Sequence, residues 1–385
     1  MTRFIHTADW QLGMTRHFLG DEAQARFTQA RIDAIRTIGR LAIEKKAEFA
    51  VVAGDVFESN LLSPQVVARS LLALREIPIP WYLLPGNHDP LDASSIYDQK
   101  LFQEQKPENV HVLRDSNPFE VAPGVDLVGA PWPTKRPLAD LAGAAVSKLS
   151  PSDGRTRICV AHGAVDIDAP DKENPANILF ENARQAISDG RIHYLALGDR
   201  HSSTVVGENP QIRYSGAPEP TDYDEVRPGF ALLVDLSPQK CKVEELPVAK
   251  WKFLRSIFDL AGDSDVDRVQ SFCDKIPSKE TAVVKLAFRG TLSLAGHAKL
   301  MVLLQEQGHV LAALESWESE SDLVLRPSPA DLEAVNLTGY AKNAMGELLG
   351  LVERGGPDQE VAEDALALMY RLSLAERRAG AGDPS

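Results

Sequence analysis

The chain reads as an α/β protein, and three observations predict it. Short apolar runs of strand length recur through the first 235 residues. Segments with apolar residues at helical spacing separate several of them. Many of the runs end in Asp, Asn or His, and the carboxyl ends of strands are where α/β sheets hold their ligands.

Phe4-Ile5-His6-Thr7-Ala8 is the first expected strand, and it runs into Asp9-Trp10-Gln11-Leu12-Gly13. A helix is expected over residues 21–46, with Ile32, Ile35, Ile38, Leu41 and Ala42 near helical spacing. Phe49-Ala50-Val51-Val52-Ala53 is a continuous apolar run, suited to a sheet covered on both faces, and it ends in Gly54-Asp55-Val56-Phe57-Glu58. Ser63-Pro64 starts the next helix, a capping hydroxyl followed by proline where a backbone N–H is not needed. Val66, Val67, Leu71, Leu72 and Leu74 line that helix before Ile77-Pro78-Ile79-Pro80 breaks it. Trp81-Tyr82-Leu83-Leu84 is the third strand. Pro85-Gly86 then forces a tight turn, and Asn87-His88-Asp89 puts an amide, an imidazole and a carboxylate at its tip. Residues 110–113 and 125–130 read as short strands. Residues 157–161 form a strand ending in His162-Gly163, and residues 194–197 one ending in Gly198-Asp199-Arg200-His201. Residues 212–216 and 229–235 close the sheet, joined through Ala217-Pro218-Glu219-Pro220.

Five strand tips thus carry Asp9/Gln11, Asp55, Asn87/His88/Asp89, His162 and Asp199/His201. Imidazole, carboxylate and amide oxygen without thiolate is a donor set for Mn²⁺, Fe²⁺ or Zn²⁺. A carboxylate shared by two ions roughly 3.5–4 Å apart clamps the attacking and leaving oxygens of a phosphate. Taken singly, each tip has an ordinary explanation: His162 as a core histidine, Asp55 as a helix cap, Asp199 as a turn former. Five in one α/β run favour a site.

Bulk composition narrows the classes. At 385 residues there is room for two or three domains, and 44% hydrophobic with 25% charged residues is ordinary for a soluble globular protein. The formal net charge of −14 repels nucleic acid and anionic membrane, so DNA handling needs a metal site, a local patch or a partner. Cys159, Cys241 and Cys273 are scattered and suggest neither a zinc ribbon nor a disulfide framework. The N-terminus lacks a signal-peptide pattern and no run of about 18 apolar residues occurs, so a cytoplasmic protein is expected, nucleoid-associated if bacterial, with no membrane partner.

In order, Asp9-x-Gln11, Gly54-Asp55, Gly86-Asn87-His88-Asp89, His162-Gly163 and Gly198-Asp199-x-His201 resemble the calcineurin-like metallophosphoesterase family. His6-Thr7-Ala8-Asp9-Trp10-x-Leu12-Gly13, Gly54-Asp55-Val56-Phe57 and Tyr214-Ser215-Gly216-Ala217-Pro218-Glu219 resemble its DNA-repair nuclease branch, the SbcD-like subunits of SbcCD-type complexes. The close likeness covers about residues 1–245. It implies a calcineurin-like phosphoesterase sandwich, two sheets flanked by helices, with a small α+β capping domain and C-terminal helices. It also implies two divalent metal ions. Asp55 would bridge them; Asp9, Gln11 and His201 would complete one site, and Asn87, His162 and Asp199 the other. His88 would be catalytic, protonating the leaving group or orienting the phosphate, with Asp89 holding its other nitrogen. The implied activity is a metal-dependent DNA exonuclease or endonuclease in DNA repair, hydrolysing phosphodiester bonds by a two-metal mechanism. The implied partners are DNA, an SMC-like coiled-coil ABC ATPase and a second copy of the chain.

Gln11 and Asp199 depart from the family pattern, which usually has histidine at both positions. Oxygen donors in place of two imidazoles favour Mn²⁺, and after it Mg²⁺, over Zn²⁺. Arg200 is a candidate for substrate phosphate and Trp132, on a loop, for base stacking. Trp10 and Phe57 read as packing. His6 and His193 fall within strands, and His17, His111, His297 and His309 lack partners at sensible spacing.

Beyond the metallophosphoesterase domain (1–245), residues 246–327 suggest an α+β domain in the capping position: an extended segment, a helix over 263–276, a strand over 282–288, a helix over 293–307 and a return over 308–311. Residues 328–385 are expected to be helical, starting at Ser328-Pro329, with a stripe of Leu366, Met369, Tyr370, Leu372 and Leu374 suited to docking on an ATPase or packing on its own domain. Two other function classes stay open: a phosphodiesterase or phosphatase acting on a small nucleotide or phosphoprotein, and a weakly active scaffold subunit.

Overall fold

The computed structural model describes residues 1–326 and 339–380, in two compact units, Met1–Lys252 and Phe253–Ser385. The first half of the first unit contains β1 (Thr2–Thr7), α1 (Asp21–Glu44), β2 (Phe49–Val52), α2 (Pro64–Arg75), β3 (Trp81–Leu83), α3 (Lys100–Gln105), β4 (Val110–Val112), β5 (Phe119–Ala122) and β6 (Val125–Ala130). Its second half contains α4 (Leu141–Ser147), β7 (Thr156–His162), α5 (Phe180–Ser188), β8 (Tyr194–Gly198), β9 (Thr204–Val206), β10 (Asn209–Tyr214), β11 (Phe230–Ser237) and β12 (Lys240–Pro247). They build two six-stranded sheets, in the orders β12-β11-β1-β2-β3-β4 and β5-β6-β7-β8-β10-β9. In the first sheet β1 to β4 run parallel; in the second β6, β7, β8 and β10 do.

Alternation along the strands makes a four-layer sandwich. Phe4, Phe49 and Tyr82 face Leu127, Ile158, Val160 and Tyr194 between the sheets, with Phe4 stacked on Phe49 at 5.3 Å and edge-on to Tyr194 at 5.7 Å. The neighbours Ile5, Ala50, Val52 and Trp81 point the other way, into Ile35 and Ile38 of α1 and Leu71 and Leu74 of α2. Cys159, Leu195 and Leu197 lie in the matching outer core with Ala142 and Val146 of α4 and Ala186 of α5, which makes Cys159 a packing residue. Ser63 caps α2 as expected, its hydroxyl accepting from the Val66 N–H. Helices α3, α4 and α5 were not expected. They are short, and Ala-rich α4 (LAGAAVS) offers little contrast for periodicity.

The expected border at 245/246 falls inside β12, whose pairing with β11 continues to Phe230↔Pro247. Trp251 packs edge-on against Phe27 of α1 at 5.0 Å, and the Glu219 carboxylate accepts from the Lys250 and Trp251 N–H groups. The first unit therefore runs on to Lys252.

The second unit holds β13 (Lys252–Leu260), α6 (Val266–Asp274), β14 (Ala282–Leu292), α7 (Leu294–Gly308), β15 (Ala313–Ser316), β16 (Asp322–Leu325), α8 (Gly339–Arg354) and α9 (Gln359–Gly380). Central β14 is flanked by β13 and β15 and pairs with β16 further along. Val284, Leu286 and Phe288 pack under Val269 of α6 and Leu300 and Leu303 of α7. The return expected at 308–311 is a turn, and the strand follows it at β15. The border at 327/328 and the helix start at Ser328-Pro329 lie outside the described residues, as does the side chain of Leu374. Leu366 and Tyr370 are buried with Leu294 and Ala298 of α7, so that part of the stripe packs within its own unit, whereas Leu372 is exposed. Among the described residues no helix is long and apolar enough to cross a membrane. Truncating Leu366 to Ala is expected to lower the stability of the second unit by about 2–5 kcal/mol in chemical denaturation; a tail lying loosely on the surface would give no change.

Candidate metal centre

The tips of β1, β2, β3, β7 and β8 meet at one end of the sandwich. The loop after β1 is bonded to the loop after β2: Asp9 N–H donates to Gly54 O at 3.1 Å, Gln11 N–H to Asp55 O at 2.9 Å and Leu12 N–H to Val56 O at 3.0 Å. Two glycines permit the approach. A Cβ on Gly54, at φ +93°, would lie 2.1 Å from His162 Nδ1, and one on Gly86 would lie 2.2 Å from Asp55 Oδ1. Asp9, Gln11, Asp55 and Asp199 themselves sit at positive φ, 55°, 42°, 51° and 100°. Such backbone is unfavourable for non-glycine residues and clusters at functional sites.

Ligand-type atoms of Asp9, Asp55 and His162 all lie within 4.8 Å of one another. His162 Nδ1 is bonded to Ala53 O at 2.9 Å, which turns Nε2 toward Asn87 Oδ1 at 2.7 Å, Asp55 Oδ2 at 3.4 Å and Asp199 Oδ1 at 3.8 Å. Asp55 Oδ1 accepts from the His88 N–H at 3.0 Å. Across the site, Gln11 Nε2 lies 3.5 Å from His201 Nε2, while His201 Nδ1 faces Thr221 Oγ1 at 2.7 Å and Glu225 Oε1 at 2.9 Å. The Asp199 N–H donates to Asp9 Oδ1 at 2.9 Å. The seven expected ligands and His88 are thus brought together.

Burial governs the charges. Desolvation pushes the Asp9 carboxyl up to about 6 against the pull of His201 and His162. It would raise Asp55 too, but His162 and His88 outweigh it and hold that carboxyl below the usual range. Desolvation also opposes charge on His162, yet Asp55, Asp9 and Asp199 hold its imidazole well above the ordinary histidine value.

The donors fit divalent cations. Asp9 Oδ2 and Gln11 Oε1 are buried with no protein donor, an unfavourable state for acceptors unless a cation takes them. Three carboxylates, Asp9, Asp55 and Asp199, face the site, a charge that two divalent ions would more than balance.

Two expected roles are corrected. The Asp89 carboxylate accepts from the Gly86 N–H at 2.8 Å, the Phe57 N–H at 3.0 Å and the Tyr97 hydroxyl at 2.6 Å. It ties the β2 and β3 tips together, while His88 Nδ1 is held by Glu58 O at 2.9 Å. Trp132 is only 8% exposed, donates from its indole N–H to His162 O at 2.7 Å and packs edge-on to the His162 ring, so it supports His162 and offers no face for a base. Arg200 stands at the rim, 46% exposed, with Asp168 3.6 Å away. Glu58, Thr221, Glu225 and Tyr214, whose hydroxyl bonds Gly163 O and the Val165 N–H, were not foreseen. Of these, Glu58 carried a signal, standing three residues after Asp55, and Tyr214 opens one of the motifs that carry the resemblance, with no role legible for it there. His6 is a satisfied core histidine, bonded to the Tyr194 hydroxyl and Leu197 O.

The family model for calcineurin-like phosphoesterases matches residues 2–234, and the chain belongs to that family. Among similar proteins is the DNA double-strand break repair protein Mre11 of Haloferax volcanii, 25% identical over 81% of this chain and 67% of its own length. The protein of that name from Sulfurisphaera tokodaii is 24% identical over 61% of this chain and 60% of its own. The uncharacterized metallophosphoesterase YhaO of Bacillus subtilis is 28% identical over 30% of this chain and 29% of its own. The chain thus spans less than two thirds of several of the relatives it matches.

Two outcomes follow from this geometry. Cation uptake requires Asp9 ionised and His162 Nε2 without its proton, so cation and protons compete. Affinity for Mn²⁺ should rise as pH climbs through about 6, where Asp9 ionises, and go on rising toward alkaline pH as His162, held above the ordinary histidine range by its carboxylates, loses its proton. Calorimetric titrations in buffers of different ionisation enthalpy would read the released protons; a pH-independent affinity would contradict the arrangement. Replacing Gln11 by His should tighten the ion on the Gln11–His201 side by about tenfold, or 1.4 kcal/mol, measured by direct Mn²⁺ titration.

Proposed function

We propose that this phosphoesterase is a metal-dependent DNA nuclease of the repair type, hydrolysing phosphodiester bonds with two divalent ions held by the five strand tips. The observation that carries the reading is the pair of buried unpartnered acceptors, Asp9 Oδ2 and Gln11 Oε1, beside a carboxylate set on strained backbone. A decayed scaffold has no reason to keep either feature. Asp55 would bridge the ions, with Asp9, Gln11 and His201 on one side and Asn87, His162 and Asp199 on the other. Oxygen-rich donors favour Mn²⁺, then Mg²⁺. Bound there, the ions would supply Lewis acidity and an activated water.

The chain's own residues would orient the substrate and move the proton. His88 Nδ1 is occupied by Glu58 O and Nε2 lies 3.9 Å from Asp55 Oδ2, so Nε2 is the atom that hands a proton to the leaving oxygen. Arg200, at the rim, suits a flanking phosphate. The relatives named as double-strand break repair proteins support DNA as substrate. The net charge of −14 disfavours unaided duplex binding, which supports a partner with a basic surface, namely the SMC-like coiled-coil ATPase. The same charge favours the second reading, a phosphodiesterase for small nucleotides.

The test is cleavage of labelled single- and double-stranded DNA and of a small diester by the purified chain, with Mn²⁺, with Mg²⁺ and after chelation. Mn²⁺-dependent DNA cleavage is expected, falling by about 10²–10⁴-fold in His88→Ala while Mn²⁺ binding is kept. Turnover of the small ester alone would favour the second reading, and cleavage that survives chelation would overturn both.

A further inference from the structure

The two imidazoles at ligand positions, His162 and His201, are held by different chemistry. His162 Nδ1 rests on a neutral backbone carbonyl, Ala53 O, at 2.9 Å. His201 Nδ1 rests on a carboxylate, Glu225 Oε1, at 2.9 Å, with Thr221 Oγ1 at 2.7 Å. The Thr221 hydroxyl and N–H both bond Glu225, so Nδ1 has only acceptors before it and carries the proton, leaving the Nε2 lone pair toward Gln11.

The Glu225 side chain is 7% exposed, and the segment carrying it is fixed from several sides. Arg31 of α1, 2% exposed, donates to Trp10 O at 2.9 Å and to Pro220 O at 3.0 Å, joining the loop that bears Gln11 to the one that bears Thr221. Arg16 donates to Thr221 O, the Ala217 N–H to His201 O at 3.0 Å, and the Val226 N–H to Ser202 Oγ at 3.0 Å. A carboxylate behind a ligating imidazole raises its donor strength. Each half offers one amide oxygen, Gln11 here and Asn87 opposite, but only here does a carboxylate stand behind the imidazole.

We propose that Glu225 is a positioning residue that strengthens cation binding at the Gln11–His201 half of the centre and offsets the neutral amide at Gln11. This rests on the metal reading given above. It touches no substrate; it acts through His201.

The test is a Mn²⁺ titration of the full chain followed by electron paramagnetic resonance of the free ion. It compares wild type, Glu225→Gln, Glu225→Asp and Glu225→Gln combined with Gln11→His, with the melting temperature of each metal-free protein alongside. Glu225→Gln is expected to weaken one class of Mn²⁺ by about 10–100-fold and leave the other class unchanged, with Glu225→Asp intermediate. In the Gln11→His background the same substitution should have a smaller effect. The inference is overturned if both classes are unchanged, if both weaken together with a drop in melting temperature, or if the loss is equal in the two Gln11 backgrounds. A wild-type chain that takes up no Mn²⁺ would instead overturn the metal reading itself, and this inference with it.

Discussion

Asp9 and Asp55 bury two carboxylates beside the His162 imidazole where the tips of the two sheets meet, and much of the first unit is organised around that crowding. Buried like charges repel, and each ion is costly to bring out of water. His162 and the N–H groups of His88 and Asp199 offset part of the cost within the protein. Asp9 Oδ2 and Gln11 Oε1 are left without donors. An arrangement that holds acidic groups together on left-handed backbone and leaves acceptors unsatisfied is organised for cations rather than for stability.

The sandwich supplies the rigidity this needs. Parallel β1, β2 and β3 in one sheet and β7 and β8 in the other bring their carboxyl ends to a common rim, with aromatic packing between the sheets fixing the spacing. Behind the ligands lies a further layer of support: Asp89 with Tyr97 under the β3 tip, Trp132 and Tyr214 around the His162 turn, Glu58 behind His88, and Thr221 with Glu225 behind His201. Such support holds the candidate ligands in place from behind.

The clustering of these side chains was readable in the sequence because each lies at the end of an apolar run, where strand period and polar tip are both local signals. The supporting residues were not, because their partners are distant along the chain: Trp132 meets His162, and Glu225 meets His201, only through the fold. Asp89 shows the limit most clearly. It is adjacent to His88, yet its carboxylate turns toward the β2 tip, since successive residues in a turn point in different directions. The α/β class and the order of the long strands were legible for the same local reason, whereas short α4 and α5 were not, and the domain border slipped because β12 continues through a proline-containing stretch.

The most direct measurement is a crystal structure of the chain soaked in Mn²⁺, with anomalous scattering recorded to locate the ions. Two peaks should lie either side of the Asp55 carboxylate, roughly 3.5–4 Å apart, one against Asp9, Gln11 and His201 and the other against Asn87, His162 and Asp199. A well-ordered site with no peak, or with ions that do not touch Asp55, would contradict the two-metal centre.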